Sequence, residues 1–159
     1  MLLLEICIST QTLSLIKDNH LIKKYVISTA KNGMGEEYGS EKTPLGWHII
    51  RAKIGTNAPA NTVFIRRRST GEIFIPEFIK QFPERDWILT RILWLSGLEI
   101  HKNRLGNVDS MRRKIYIHGS PDQFVMGTPE SKGCIRMRNH DVIELFDTIP
   151  VGTRVLVKE

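Results

Sequence analysis

The sequence predicts a mainly β domain with one or two short helices. Short apolar or alternating runs recur along the chain, each bounded by clusters of Gly, Pro, Asn or Asp. Only the segment after Asn139 repeats its apolar residues at clear helical spacing. The chain has 159 residues, 41% hydrophobic and 25% charged, which suits one globular domain, residues 1–159, around one core.

Leu2 to Ile8 and Thr12 to Lys17 read as strands. Asp18-Asn19-His20 is a turn signal and Leu21 to Ser28 returns as the second arm of a hairpin. Residues 30–46 carry Gly33, Gly35, Gly39, Pro44 and Gly46 and read as a loop. Trp47 to Ile54 and Thr62 to Arg67 are strands. The run Arg66-Arg67-Arg68 reads as a solvated edge whose charges discourage further pairing. Pro76 to Phe82 is a short helix, with Pro76 in its first turn. Trp87 to Leu95 is a buried strand, residues 97–113 a polar connection, and Ile115 to His118 a short strand. A loop holding Pro121, Gly127 and Pro129 follows. Asn139 then caps a helix with Val142, Ile143, Phe146 and Ile149 on one stripe, ending before Pro150. Arg154 to Lys158 closes the chain as a strand. There is no internal repeat.

The net charge of +6 and pI near 9.5 suit an anionic partner: nucleic acid, a membrane surface or a carboxylate-rich polymer. No apolar run approaches a membrane span. At the N-terminus, Glu5 interrupts the apolar run, no Lys or Arg precedes Lys17, and no small-residue cleavage pattern follows. That segment reads as a first strand rather than a secretory signal. Cys7 lies in it and reads as a small buried hydrophobe. Two cysteines leave a Cys7–Cys134 bridge open but form no disulfide framework.

Chemistry concentrates at Ser131-Lys132-Gly133-Cys134-Ile135-Arg136-Met137 and at His118-Gly119, which ends a strand. An isolated cysteine is more often packing than nucleophile. A glycine-preceded, cation-flanked one is set up for reaction. An ordinary thiol titrates near ~8.5; a His partner and nearby cations lower that value. Here His118 is the partner and Lys132, Arg136 and Arg138 the cations. Gly133 leaves room for a substrate carbonyl, and its N–H with that of Cys134 would form an oxyanion hole. Ser131 donates a hydrogen bond into the turn. His20, His48, His101 and His140 read as turn, strand, loop and first-turn residues. Trp47, Trp87 and Trp94 read as core strand residues. No tight ligand pair supports a zinc site.

These residues resemble the signature of L,D-transpeptidase catalytic domains, the YkuD family: a His, a spacer, then Ser/Thr-His-Gly-Cys, an apolar residue and usually Arg. Lys42-Thr43-Pro44-Leu45-Gly46 is similar to the family's Thr-Pro-x-Gly element. Ser9-Thr10-Gln11-Thr12-Leu13 and Val26-Ile27-Ser28-Thr29 are similar to its first strands. The resemblance implies a β-sandwich-like fold with the cysteine in a narrow groove. It implies acyl transfer on peptidoglycan stem peptides, with release of a terminal D-alanine and an amine as acceptor. Cys134 would be the nucleophile, His118 the base, and the Gly119 carbonyl the group that orients His118. Ser131, Lys132, Gly133 and Arg136 would shape the substrate pocket, Arg136 by pairing with a carboxylate. Lys132 departs from the pattern, standing where the family has a second histidine. The resemblance implies no cofactor, metal or nucleic acid and a place in the cell envelope. The lack of a leader makes the cytoplasm the alternative. Hydrolysis by the same acyl-enzyme, giving an L,D-carboxypeptidase, and a non-catalytic wall-binding module are the rival functions.

Overall fold

The computed structural model describes residues 1–159. Ten strands follow one another as β1 (Leu2–Cys7), β2 (Thr12–Lys17), β3 (His20–Ser28), β4 (Gly46–Ile54), β5 (Thr62–Ile65), β6 (Arg68–Ile73), β7 (Ile88–Gly97), β8 (Tyr116–Gly119), β9 (Ile135–Met137) and β10 (Arg154–Lys158). Two helices interrupt them, α1 (Glu77–Gln81) and α2 (Asn139–Thr148). The mainly β, sandwich-like class with two short helices holds.

The strands close into a circuit. The order β4-β10-β1-β2-β3-β9-β8-β7 returns to β4 because β4 pairs with both β10 and β7. Closure leaves few free edges, and the β5–β6 hairpin extends the sheet beyond β7. Alternation along each strand sends one face inward: Leu4 and Ile6 from β1, Leu13 and Leu15 from β2, Val155 and Val157 from β10. Val142, Leu145 and Phe146 of α2 join the same 19-residue core. Burial of such side chains contributes about 1.5–3 kcal/mol each.

The hairpin expected at Asp18-Asn19 forms, with both residues at positive φ of 49° and 68°. Residues 62–67 depart from the expected single strand. The chain turns at Arg66 and Arg67, at φ 49° and 64°, and returns as β6. Such turns usually carry Asn or Gly. Here contacts compensate: Arg67 Nη1 donates to Tyr116 Oη at 2.9 Å, and its guanidinium lies 4.6 Å from the Trp94 ring centroid. Arg67 is therefore a half-buried anchor of a turn rather than a solvated edge residue. Asn139 also departs. The N-cap of α2 is Arg138, with no side-chain cap, and Asn139 is the first helical residue. Its amide goes elsewhere.

Strand β7 bulges opposite β8. Leu89 pairs with Gly119 and Ile92 with His118, so Thr90 and Arg91 lie in the irregularity. Thr90 has φ +76°. A β-branched residue there costs roughly 1–3 kcal/mol and persists only when its surroundings hold it. Next to it, β8 and β9 pair in parallel, His118 opposite Arg136.

Candidate active site

The parallel β8–β9 pair sets His118 and Cys134 on one face of the sheet. Ile117 and Ile135 face the core, so Tyr116, His118, Cys134 and Arg136 share the other face. Cys134 immediately precedes β9 and is half-buried. Its Sγ accepts the Tyr116 N–H at 3.4 Å and donates to Lys114 O at 3.4 Å.

The turn before Cys134 is clamped from two sides. Ser131 Oγ donates to Cys134 O at 2.6 Å and accepts the Gly133 N–H at 3.2 Å. Thr43, fully buried, donates to Gly133 O at 3.0 Å and accepts the Ala30 N–H at 3.0 Å. The Thr-Pro-Leu-Gly element is thus the floor of the turn. Gly133 sits at φ +124°, and a Cβ there would meet Lys42 O at 3.2 Å. Only glycine takes that conformation without strain. One expectation changes: the Gly133 N–H is spent on Ser131, so of the two donors proposed for an oxyanion only that of Cys134 has no protein acceptor.

His118 is fully buried at the end of β8. Its Nδ1 lies 2.7 Å from Gly119 O. A carbonyl oxygen can only accept, so Nδ1 carries the proton and Nε2 presents a lone pair in the neutral ring. Nε2 is buried with no hydrogen-bond partner. An orphaned buried acceptor of this kind is costly. Burial holds the His118 pKa below its ordinary value, with the Asp86 carboxylate acting against that shift.

Burial shifts the thiol in the direction opposite to the one expected from flanking cations. Burial first, then the Asp86 carboxylate, push Cys134 up to about 12. The Tyr116 N–H, Arg136 and Arg113 pull the other way and lose. Lys132 and Arg138 are exposed, and neither is among the largest influences on the sulfur. Desolvation wins because the sulfur is walled by Tyr116, Phe64 and Ile92.

A cavity of about 260 Å³ opens above Cys134, its cationic lining formed by Arg66, Arg67, Arg113, Lys114 and Lys132 and its single carboxylate by Asp86. A second cavity of about 220 Å³ shares Arg113, Lys114 and Lys132 as a wall. Arg136 points toward Asp86, with Nη2 3.6 Å from Oδ1, and its guanidinium lies 5.0 Å from the Phe124 ring. Its side chain is 12% exposed, so it faces a protein carboxylate rather than open solvent. Sequence reasoning missed Asp86, Arg113, Arg66 and Arg67. Arg113 is tied to Gly35 O, Ser40 Oγ and Lys42 O at 3.2, 3.3 and 2.6 Å. No local pattern marks these residues; strand pairing and a long loop deliver them.

The remaining histidines lie away from Cys134. His48 is buried between Gly46 O and Ser110 Oγ at 3.0 and 2.8 Å, and burial lowers it to about 4. No cluster of three or more His, Cys, Asp or Glu side chains is arranged to hold a metal ion.

Cys7 is a correction. It is half-buried, not core, and both cysteines are free. Its Sγ lies 3.4 Å from Ser9 Oγ and donates to Glu159 O at 3.2 Å. Hydrogen bonds from Ser9, then Thr10, lower it to about 7. At pH 8 the free protein should therefore be alkylated by iodoacetamide at Cys7 before Cys134. The thiolate fractions favour Cys7 by roughly 10⁴-fold, and the lower nucleophilicity of a low-pKa thiolate offsets about half of those decades. A preference of roughly tenfold to a hundredfold at Cys7, read by peptide mass mapping, is expected. Faster labelling of Cys134 would mean a preformed thiolate–imidazolium pair.

Comparison with known proteins identifies the family. The L,D-transpeptidase catalytic domain (YkuD) description matches residues 3–157. The chain is 51% identical over 117 residues to the probable L,D-transpeptidase YbiS of Escherichia coli (strain K12), covering 71% of this chain and 32% of that protein. It is 53% identical over 47 residues to the putative L,D-transpeptidase YqjB of Bacillus subtilis (strain 168), covering 29% of this chain and 27% of that protein. The matches thus span less than two thirds of those relatives. Among solved structures, L,D-transpeptidase 3 from Mycobacterium tuberculosis in complex with a faropenem-derived adduct superposes with a TM-score of 0.60 at 15% identity, covering 99% of this chain and 60% of that one. That likeness is one of fold. With residues 3–157 matched, the chain belongs to the YkuD family of L,D-transpeptidase catalytic domains.

Proposed function

We propose that this chain is a cysteine acyltransferase that takes the acyl group of a peptidoglycan tetrapeptide stem and passes it to an amine. One observation carries the reading: a fully buried imidazole whose Nδ1–H is fixed to Gly119 O and whose Nε2 has no partner, on the same strand face as a free thiol. Cys134 Sγ attacks the carbonyl of the third stem residue while its proton passes to His118 Nε2. The C–N bond to the terminal D-alanine breaks, and His118 returns the proton to the leaving amine. An acceptor amine then attacks the thioester, gives its proton to His118, and the sulfur regains it as the C–S bond breaks. Because the thiol starts neutral, proton transfer accompanies attack rather than preceding it.

Gly119 is the residue that orients the base. Ser131 and Gly133 shape the turn, and the Cys134 N–H faces the developing oxyanion. Substrate carboxylates meet the exposed Arg66 and Lys132, since Arg136 is directed at Asp86. The second cavity shares the Arg113–Lys114 and Lys132 wall with the first. No helix is long and apolar enough to cross a membrane. Stem peptides as substrate put the site of action in the cell envelope.

Incubation with a purified disaccharide-tetrapeptide, followed by mass spectrometry, tests the reading. A cross-linked dimer or exchange of the terminal D-amino acid is the expected product. D-alanine loss with water as sole acceptor would make the protein a carboxypeptidase, and an unchanged substrate would make it a binding module.

A further inference from the structure

We propose that Asn139 and Thr90 form a positioning unit for the His118 imidazole, acting through the backbone of Gly119 and Ser120. The proposal rests on the reading of His118 as the base. Neither residue belongs to the cysteine motif, and neither touches the cavity above Cys134.

Asn139 is 5% exposed, and four groups converge on its amide. Oδ1 accepts Thr90 Oγ1–H at 2.5 Å. Nδ2 lies 2.9 Å from Ser120 O, 3.0 Å from Asn61 Oδ1 and 3.1 Å from Asp122 Oδ1. Three acceptors compete for two protons, so the amide is held in one orientation. Ser120 is pinned a second time, its Oγ donating to Met137 O at 3.0 Å. Ser120, the residue after Gly119, is therefore fixed from α2 and from β9 together.

Two independent features locate the unit on His118. Gly119 packs so tightly that a Cβ would come 2.4 Å from Asn139 Oδ1 and 2.6 Å from Leu89 O. The amide thus sits directly behind the residue whose carbonyl accepts the His118 Nδ1–H hydrogen bond. Thr90, in turn, holds its φ of +76° at the bulge opposite Gly119 and His118. Its hydroxyl accepts the Asn61 N–H at 3.0 Å and donates to Asn139. Strain at a functional site persists when the surroundings over-determine it, and this network does so. If the Gly119 carbonyl shifts, His118 loses the bond that selects its tautomer, and Nε2 no longer presents a lone pair uniformly.

The test compares Thr90→Val, Thr90→Ser and Asn139→Ala in the full chain. ¹⁵N-labelled histidine reports the tautomer of His118 directly, without substrate. Donor kinetics report the consequence. Thr90→Val keeps the branched shape and loses the hydroxyl, so it and Asn139→Ala should show mixed ring tautomers. Both should lower kcat by about tenfold to a hundredfold, the cost of a misplaced group, with KM little changed. Thr90→Ser should restore the wild-type ring spectrum and kcat. Wild-type ring signals in Thr90→Val and Asn139→Ala would overturn the proposal, whatever happens to thermal stability or rate. If the protein turns over no stem peptide, the ring spectra still decide this question, and only the reading of function falls.

Discussion

Replacing Cys134 with alanine is expected to reduce turnover of a tetrapeptide donor to background while leaving the fold intact. The sulfur is the one thiol in the cavity it faces; the other lining groups are cations, Asp86, Ile88 and the Tyr116 phenol. The loss in stability should be small. Sγ makes two long contacts of 3.4 Å, to the Tyr116 N–H and Lys114 O. The turn is held by Ser131 and Thr43 through backbone carbonyls that the substitution leaves in place. A change of about 1 kcal/mol or less is the expectation for losing such bonds, a shift of only a few degrees in Tm. Product formation at the wild-type rate by Cys134→Ala would move the nucleophile elsewhere.

The second large effect is at His118. His118→Ala should slow acylation by something like ~10²–10⁴-fold, the usual worth of a positioned acid–base group. His118→Gln keeps most of the volume without a basic nitrogen and should fall as far, which separates lost chemistry from lost packing. The pH dependence distinguishes the two proteins further. In the wild type, burial holds His118 below its ordinary 6.5, so the imidazole stays neutral and competent through neutral pH. The rate should fall only as acid protonates Nε2. In the variants the thiol must ionise unaided. With Cys134 pushed up to about 12, the residual rate should keep climbing with pH through 10. A single-turnover profile identical in wild type and His118→Gln would remove His118 from proton transfer.

The parts of this fold that were legible were those set by local pattern. The alternation of Leu13 and Leu15, or Val155 and Val157, marks strands because each has one wet face and one dry face. The Asp18-Asn19 turn was visible because both residue types tolerate positive φ. The Arg66-Arg67 turn was not, since arginine carries no such preference and the turn is held by Trp94 and Tyr116, distant in sequence. The polar strand β6, with no buried residue, has no alternation to read.

The site divides the same way. Cys134, Gly133, Ser131 and His118 lie in two short motifs, and Thr43 was already flagged by its Pro-Leu-Gly neighbours. Asp86 follows a turn and joins the cavity beside Cys134 through the pairing of β7 with both β5 and β8. The upward shift of the thiol is hidden from the sequence for a related reason. Charged neighbours can be read from a sequence, but desolvation depends on tertiary burial, and here it outweighs them. Asn139 shows the limit most sharply. A helix-starting asparagine reads as a cap, yet its amide is spent on Thr90 and Ser120.

Intact-protein mass spectrometry during incubation with a tetrapeptide donor tests the central claim most directly. The account predicts a covalent adduct equal to the tripeptide acyl group, mapping to Cys134, and free D-alanine released in equal amount. An adduct on Cys7 or on any other residue, or D-alanine release with no adduct forming in wild type or in His118→Gln, would contradict it.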